Sequence, residues 1–253
     1  MKYENKLFNE LATQKKVAIK VSFEDEGLDF IDILNIKKFT LKHDIELLLK
    51  IAGAEAKRDF KDANKIGVEK IVAPMIESPF ALSKYIKTAL SFVDPKIIRL
   101  GFNMESKQCF DNIEIILSAK ESDFLTSITV GRGDLAESYN LDRYKGSVNS
   151  SKIYDITKKT FLLGKSKGLK TYLGGSMNHQ SEEFVLKLKS ENLIDFFETR
   201  NMVFDISVLD NHSFDQIIDL AFDFEKNKME ARRSYYELLY NEDFERLKRL
   251  SNL

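Results

Sequence analysis

The sequence predicts one α/β domain folded as a TIM-type (β/α)8 barrel with a long C-terminal helical extension. Short apolar stretches alternate along the chain with longer amphipathic ones, and no hairpin turn signal joins two strands, which favours a parallel sheet. The length of 253 residues is also what a single barrel needs. An open, doubly wound sheet is the alternative that the same alternation allows.

Seven strands can be identified, and apolar and polar side chains alternate in the clearest of them. In the first strand Val17, Ile19 and Val21 share one face, while Lys20 lies on the other. Because a barrel strand packs one face on the helices and turns the other inward, the polar faces are expected to line the interior. The predicted strands are residues 17–24, 45–51, 70–78, 97–105, 123–134, 169–176 and 195–205.

The segments between these strands have the pattern of amphipathic helices. Gly67 and Gly168 stand where a glycine cap ends two of them, and Pro79 suits the first turn of a third. Besides the helix that begins at Pro79, the predicted helices are residues 6–14, 28–43, 55–65, 107–122, 151–167, 182–189 and 214–250.

No eighth strand is evident in the sequence. Either it is short and irregular near the N-terminus, or the barrel is modified. Residues 1–253 are taken as one domain, in which residues 213–253 form more helix than a barrel needs to close. This extension is a long charged segment that carries aromatic residues such as Tyr235 and Tyr236. We therefore expect part of it to pack on another subunit of a homo-oligomer.

Composition excludes several classes of partner. The 39 basic and 40 acidic residues give a formal net charge of −1, so no overall field draws the protein to nucleic acid or to a membrane surface. No apolar run approaches the roughly 20 residues of a membrane span, and the N-terminus has no signal-peptide core, which predicts a cytoplasmic protein. Cys109, the single cysteine, is expected to be a buried structural thiol.

Two acidic residues follow the fourth and fifth predicted strands. Glu105 ends one strand, and Asp134 ends the next in the run Gly131-Arg132-Gly133-Asp134. Because the C-terminal ends of parallel barrel strands face one mouth, the two carboxylates are expected to meet there and to form a divalent-metal site. The alternative is that both are solvated acids at strand ends.

These residues carry a resemblance to a known family. Residues 103–107 (NMESK) with 111–112, residues 131–135 (GRGDL) and residues 73–78 (APMIES) are similar to motifs of the HpcH/HpaI aldolase and citrate lyase beta-chain family. The similarity spans residues 45–204. It implies a phosphoenolpyruvate/pyruvate-type barrel, a divalent metal held by Glu105 and Asp134, and reversible carbon–carbon cleavage through a pyruvate-like enolate. It also implies that the amides of Gly133 and Asp134 hold the substrate carboxylate, and we add Asn103 and Glu77 to the expected substrate-binding residues.

The chemistry of the two carboxylates agrees with this implication. Mg²⁺ or Mn²⁺ prefers six oxygen ligands, so two protein carboxylates leave positions for water and for the two oxygens of a 2-oxo acid. The metal would then act as a Lewis acid on the keto oxygen.

The chain departs from the family pattern at two positions. Lys50 stands where aldolases of the family have a substrate-binding arginine, and Arg200 is a candidate to supply the missing planar fork. Lys50 is expected to be a charge partner; a Schiff-base amine or an ion pair with Glu24 or Glu77 inside the barrel are the alternatives.

The second departure is the general base. The first active-site loop carries Glu24 and its acidic neighbours instead of a histidine, so His179, Glu24 or a metal-bound water are the candidates.

The sequence therefore predicts a divalent-metal-dependent carbon–carbon lyase of the aldolase type, acting on a small 2-oxo acid. An acyl-CoA lyase resembling citrate lyase or malyl-CoA lyase is one alternative. A catalytically inert barrel that serves as a binding or assembly subunit is the other.

Overall fold

A computed structural model describes residues 3–143 and 146–251, and within them eight strands form one closed barrel. The predicted barrel is thus confirmed, and the open-sheet alternative is wrong. The strands, in their order around the barrel, are β1 (Val17–Ser22), β2 (Leu47–Lys50), β3 (Lys70–Ala73), β4 (Arg99–Met104), β5 (Leu125–Gly131), β6 (Lys170–Gly174), β7 (Phe196–Glu198) and β8 (Met202–Asp205).

Helices cover the outside of this barrel. In chain order they are α1 (Lys6–Thr13), α2 (Phe23–Glu26), α3 (Phe30–Lys42), α4 (Lys57–Ile66), α5 (Pro79–Leu90), α6 (Lys107–Asp111), α7 (Ile113–Ser118), α8 (Arg132–Ser138), α9 (Ser151–Ser166), α10 (Glu182–Ser190) and α11 (Phe214–Ser251). One continuous apolar core lies between them and the outward faces of the strands.

The eighth strand makes the barrel a modified one. Strands β1 to β7 are parallel neighbours, but β8 runs antiparallel to both β7 and β1, pairing Phe204 with Phe197 and Val203 with Ala18. The predicted single strand 195–205 is therefore a hairpin, and the expectation of an all-parallel sheet is wrong. Both halves are apolar, and the turn at residues 199–201 contains no glycine or proline, so the sequence carried no sign of it.

The first predicted strand is shorter than expected at its C-terminal end. The Ser22 side chain accepts a hydrogen bond from the Asp25 amide and caps α2, and Gly27 ends this helix in the left-handed region at φ 55°. The acidic residues 24–26 that follow β1 thus form one helical turn at the mouth of the barrel. The position of each residue in this turn determines whether its carboxylate faces the inside of the barrel.

The inward faces of the strands carry polar side chains, as the alternation predicts, together with a small apolar cluster of Leu48, Tyr172 and Val203. Lys20 forms an ion pair with Glu198 across the barrel. Below that pair lies Lys70, only 1% exposed, with its Nζ 3.4 Å from the centre of the Tyr172 ring. Within the part of the chain that the structure describes, nothing accepts a hydrogen bond from the Lys70 ammonium. Burial lowers the pKa of Lys70 to about 7. The Glu198 carboxylate raises this pKa, but by less than burial lowers it.

The C-terminal extension is one helix, α11, of 38 residues, or about 57 Å. Its first half is buried against the barrel through residues such as Phe214, Ile218 and Phe224. From Met229 onward the side chains that the structure describes are mostly exposed, and the large apolar ones among them are Met229, Tyr235, Tyr236, Leu238, Leu239, Tyr240 and Phe244. No helix in the described ranges is long and apolar enough to cross a membrane.

Cys109 has the environment expected of a structural thiol. It is fully buried, and its sulfur donates to the Ile76 carbonyl oxygen at 3.0 Å. Burial raises the pKa of this thiol, and the Glu77 and Glu105 carboxylates add to the effect, so it stays protonated.

Candidate active site

A cavity of about 510 Å³ opens at the C-terminal ends of the parallel strands, beside the turn between β7 and β8. The segments after β1, β5 and β6 and the first half of α11 contribute to its wall. Its lining residues are Lys20, Val21, Ser22, Asp25, Glu26, Lys50, Asn103, Glu105, Gly131, Asp134, Arg143, Gly175, Ser176, Met177, Glu198, Thr199, Arg200, Phe222 and Glu225.

Glu105 is the buried acid of this cavity, with 2% of its surface exposed. Its Oε2 accepts from Asn103 Nδ2 at 2.9 Å and lies 3.9 Å from Lys50 Nζ, while its Oε1 accepts from the Met75 amide at 3.3 Å. Burial raises its pKa, Lys50 and Asn103 oppose this, and Asp134 adds to it. The side chain is therefore held in one position by donors on two sides.

Asp134 faces the same cavity from the first turn of α8. Its Oδ1 lies 3.1 Å from Arg143 Nη1. Glu105 and Asp134 both line this cavity, so the structure places at one mouth the two acids that the sequence paired. Their function as metal ligands stays a prediction.

Lys50 lies between the two sides of the cavity. Its Nζ is 3.0 Å from Asp25 Oδ2 and 3.9 Å from Glu105 Oε2, so it pairs with these two acids, and the alternative of an ion pair with Glu24 or Glu77 is wrong. Burial works against its charge, but the Glu105 and Asp25 carboxylates outweigh burial and raise the pKa of Lys50. An amine held as an ammonium is not a nucleophile, which argues against the Schiff-base alternative.

Helix α11 holds the short helix α2, which carries Asp25, in place. Lys228 forms an ion pair with Glu26, and Arg232 donates to the carbonyl oxygens of Glu26 and Gly27, both at 2.9 Å. From the other side, Arg200 in the hairpin turn donates to the Asp25 carbonyl oxygen. The C-terminal extension thus forms part of the cavity of its own chain, because it holds α2 in position.

Four predicted site residues are not among the residues that line the cavity: Gly133, which lies buried directly before Asp134, and three residues that lie elsewhere among the described residues. Glu24 is exposed on the far side of the α2 turn, and Glu77 accepts a hydrogen bond from the Ser106 hydroxyl behind the strand ends. His179 Nδ1 lies 2.7 Å from Asp215 and its Nε2 lies 3.2 Å from Asp219, both on α11. The structure brings none of the three to the cavity, whereas Asn103, Asp134, Lys50 and Arg200 line it.

Glycines allow the loops after β5 and β6 to pack closely. A Cβ on Gly131 would lie 3.0 Å from Glu105 Oε2. Gly175 has φ +81°, and a Cβ there would lie 2.3 Å from the Arg132 amide nitrogen and 2.4 Å from that of Gly133. A side chain at Gly175 would push the two loops apart.

Replacement of Gly175 by alanine is expected to destabilise the fold by about 3 kcal/mol or more, because backbone strain and a clash with backbone atoms add together. Gly168→Ala is the matched control, since Gly168 has φ +73° and nothing lies within 4 Å of its Cβ position. We expect that control to cost about 1–2 kcal/mol. Urea unfolding of the two variants measures the difference, and equal losses would contradict the close packing.

Sequence reasoning missed several residues of the cavity. Lys20 and Glu198 were detectable from their inward positions on the strands β1 and β7. Arg143 lies in a loop beyond α8 with no periodic pattern, and Phe222 and Glu225 belong to a helix that the sequence assigned to a subunit contact. Only the folded chain brings these three to the mouth.

Acidic side chains outnumber basic ones among the described lining residues. The acids are Asp25, Glu26, Glu105, Asp134, Glu198 and Glu225; the cations are Lys20, Lys50, Arg143 and Arg200. A cavity with this excess of carboxylate oxygens suits a hard divalent cation. In residues 3–143 and 146–251 no group of three or more His, Cys, Asp or Glu side chains has the arrangement of a metal site, so a cation here would have two protein carboxylates and a ligand or water.

Comparison with known proteins shows the fold of this chain. No protein-family model and no curated protein sequence matches it. Among solved structures, an HpcH/HpaI aldolase/citrate lyase family protein from Burkholderia cenocepacia J2315 superposes with a TM-score of 0.63 at 14% identity, covering 88% of this chain and 89% of that one.

Two further structures are similar over the same extent. An HpcH/HpaI aldolase from Desulfitobacterium hafniense DCB-2 gives a TM-score of 0.59 at 12% identity, covering 87% of this chain and 89% of that one. A variant of the citrate synthase SbnG gives 0.59 at 13% identity, with coverages of 87% and 89%. At these identities the likeness shows a shared barrel, in line with the resemblance found in the sequence.

Proposed function

We propose that this chain is a divalent-metal-dependent carbon–carbon lyase of the aldolase type, acting on a 2-oxo acid through a pyruvate-like enolate. The observation that carries the proposal is that Glu105 and Asp134 both line one cavity, whose acidic side chains outnumber its basic ones. One solved structure that shares the fold is an HpcH/HpaI aldolase and another is an HpcH/HpaI aldolase/citrate lyase family protein, which supports the same reaction class.

Glu105 and Asp134 are the residues that would hold Mg²⁺ or Mn²⁺. Both offer carboxylate oxygens, the donors that these cations prefer, and the cavity's excess negative charge fits a doubly charged ion. When bound, the cation supplies a Lewis acid for the keto oxygen of the substrate.

The remaining residues bind and orient the substrate. Asn103 holds the Glu105 carboxylate, and the Lys50 ammonium offers a positive charge to a 2-oxo acid without forming a covalent bond. The cavity is far larger than pyruvate requires, leaving room for the second product of cleavage.

Asp25, in the acidic helix α2 that follows β1, is our candidate for the general base. Glu24 and His179 lie away from the cavity, whereas Asp25 lines it and contacts Lys50 at 3.0 Å.

We also propose that the chain forms a homo-oligomer through the second half of α11. That half carries a series of exposed aromatic and aliphatic side chains, more than a helix in contact with water alone is expected to display. An acyl-CoA substrate is less compatible with the site, because an acidic cavity repels phosphate groups.

Proton exchange tests the proposed function. The protein is incubated with pyruvate in heavy water and Mg²⁺ or Mn²⁺, and the methyl signal is followed by NMR. Loss of that signal that stops on addition of a chelator supports an enolising enzyme. Absence of exchange with pyruvate and with longer 2-oxo acids would favour the inert barrel.

A further inference from the structure

We propose that the N-terminal face of the barrel holds a second binding site, which takes a free α-amino acid with an apolar side chain. A cavity of about 300 Å³ opens at the N-terminal ends of the parallel strands and shares no lining residue with the candidate active site. It lies at the lower end of the roughly 300–1,000 Å³ that ligand pockets occupy, so its occupant is a small molecule. Its lining residues are Lys15, Lys16, Val17, Ala18, Asp44, Ile45, Glu46, Leu48, Arg99, Tyr172, Phe196, Val203 and Asp205.

The floor of this cavity is apolar and aromatic. Phe196, the first residue of β7, stacks on Tyr172 of β6 with ring centroids 4.5 Å apart and planes at 15°. Leu48 and Val203 pack with these rings in the apolar cluster inside the barrel. Lys70 Nζ lies over the Tyr172 ring at 3.4 Å, so this ring is held on both of its faces. The floor therefore offers a fixed apolar surface to the side chain of a ligand.

Six charged side chains line the same cavity, three of each sign. Four of them form ion pairs with one another: Lys15 with Asp44, and Arg99 with Glu46. Because positive and negative charges balance, a ligand without net charge suits this cavity better than a plain anion or a plain cation does.

Lys16 and Asp205 are the two charged residues that remain. Among the residues that the structure describes, neither forms an ion pair. They lie side by side, because the Asp205 amide donates to the Lys16 carbonyl oxygen at 3.0 Å. Asp205 Oδ1 accepts from the amide and the hydroxyl of Ser207, which leaves Oδ2 for a ligand. One ammonium and one carboxylate in neighbouring positions match the carboxylate and the ammonium of an α-amino acid.

The Tyr172 hydroxyl is a third polar group for the ligand. This residue lines the cavity but is only 5% exposed, and within the described ranges its hydroxyl has no hydrogen-bond partner. Burial raises the pKa of the hydroxyl, Arg99 opposes this rise and Glu46 adds to it. The hydroxyl therefore keeps its proton and can donate to a carboxylate. A buried hydroxyl without a partner is costly, and a bound amino acid would remove that cost.

Calorimetric titration with three ligands of one carbon skeleton tests the inference. L-Leucine carries both charges, 3-methylbutylamine lacks the carboxylate, and 4-methylpentanoate lacks the ammonium. The wild type is compared with Lys16→Gln, Asp205→Asn and Tyr172→Phe, which keep most of each side chain. Lys96→Gln is the matched control, because Lys96 is exposed shortly before β4 and does not line the cavity. Thermal melts establish that each variant is folded.

We expect the wild type to bind L-leucine, and each of the three variants to bind it about 10-fold more weakly, because each loses a hydrogen bond to a charged group of the ligand. Lys16→Gln should weaken the binding of 4-methylpentanoate and leave that of 3-methylbutylamine unchanged. Asp205→Asn should do the reverse. Lys96→Gln should bind all three ligands as the wild type does.

A wild type that binds neither L-leucine nor L-phenylalanine would overturn the inference. Binding that all three variants leave unchanged, or losses that do not distinguish the amine from the carboxylate, would overturn it as well. Glu105→Gln should bind L-leucine like the wild type, and a loss there would place the ligand in the candidate active site instead. Pyruvate methyl exchange is a separate measurement, so the lyase proposal and this second site can fail independently.

Discussion

Asp134→Asn is expected to lower the rate of pyruvate methyl exchange by at least about 100-fold, since loss even of a group that only supports a metal ligand costs 10–100-fold. The amide keeps the size of the carboxylate but loses the charge that a divalent cation needs. Exchange followed by NMR at saturating Mg²⁺ measures the effect, and Glu105→Gln should give a comparable loss.

Glu114→Gln serves as the control for these variants, because Glu114 is an exposed acid on α7 that pairs with Lys159 outside the cavity. We expect it to exchange pyruvate at the wild-type rate. If Asp134→Asn and Glu105→Gln also kept that rate, the two acids would be ordinary strand-end residues.

Lys70→Met is expected to stabilise the protein by about 2–4 kcal/mol at pH 7. The lysine is fully buried, and its pKa is about 7 in the fold against 10.5 as its ordinary value. Between those two values the unfolded chain binds one more proton than the fold, so wild-type stability should rise with pH by up to about 1.4 kcal/mol per unit from this group. The variant should lack that slope.

Urea unfolding of the wild type and of Lys70→Met at pH 7, 8 and 9 measures the difference between their free energies of unfolding. The contributions of the other titrating groups are the same in both proteins and cancel in this difference. Lys61→Met is the control, since Lys61 is exposed on α4 and should leave both stability and slope nearly unchanged. A variant less stable than the wild type, with the same dependence on pH, would show that the interior stabilises the Lys70 charge.

The barrel and the pairing of Glu105 with Asp134 could be predicted because both depend on local periodicity. Alternation along β4 and β5 assigns the inward face, and the C-terminal ends of adjacent parallel strands must face one mouth. The inward orientation of Lys50 followed from the same rule.

Other features depend on contacts between distant parts of the chain. The β7–β8 hairpin has no turn signal, and the Ser22 cap rotates the acidic run so that Asp25, one residue beyond the predicted Glu24, faces the cavity. His179 lies near α11 because that helix returns along the barrel. Arg143 reaches the mouth through a loop whose path no local pattern specifies.

The pairing of Glu105 and Asp134 as cation ligands is tested most directly by Mn²⁺ binding, measured from the electron paramagnetic resonance signal of the free ion. The wild type, Glu105→Gln, Asp134→Asn and the double variant are titrated under the same conditions. We predict that each single variant loses most of the binding and that the double variant loses little more, because two ligands of one ion act as a unit. Undiminished Mn²⁺ binding by the double variant would contradict a shared cation site.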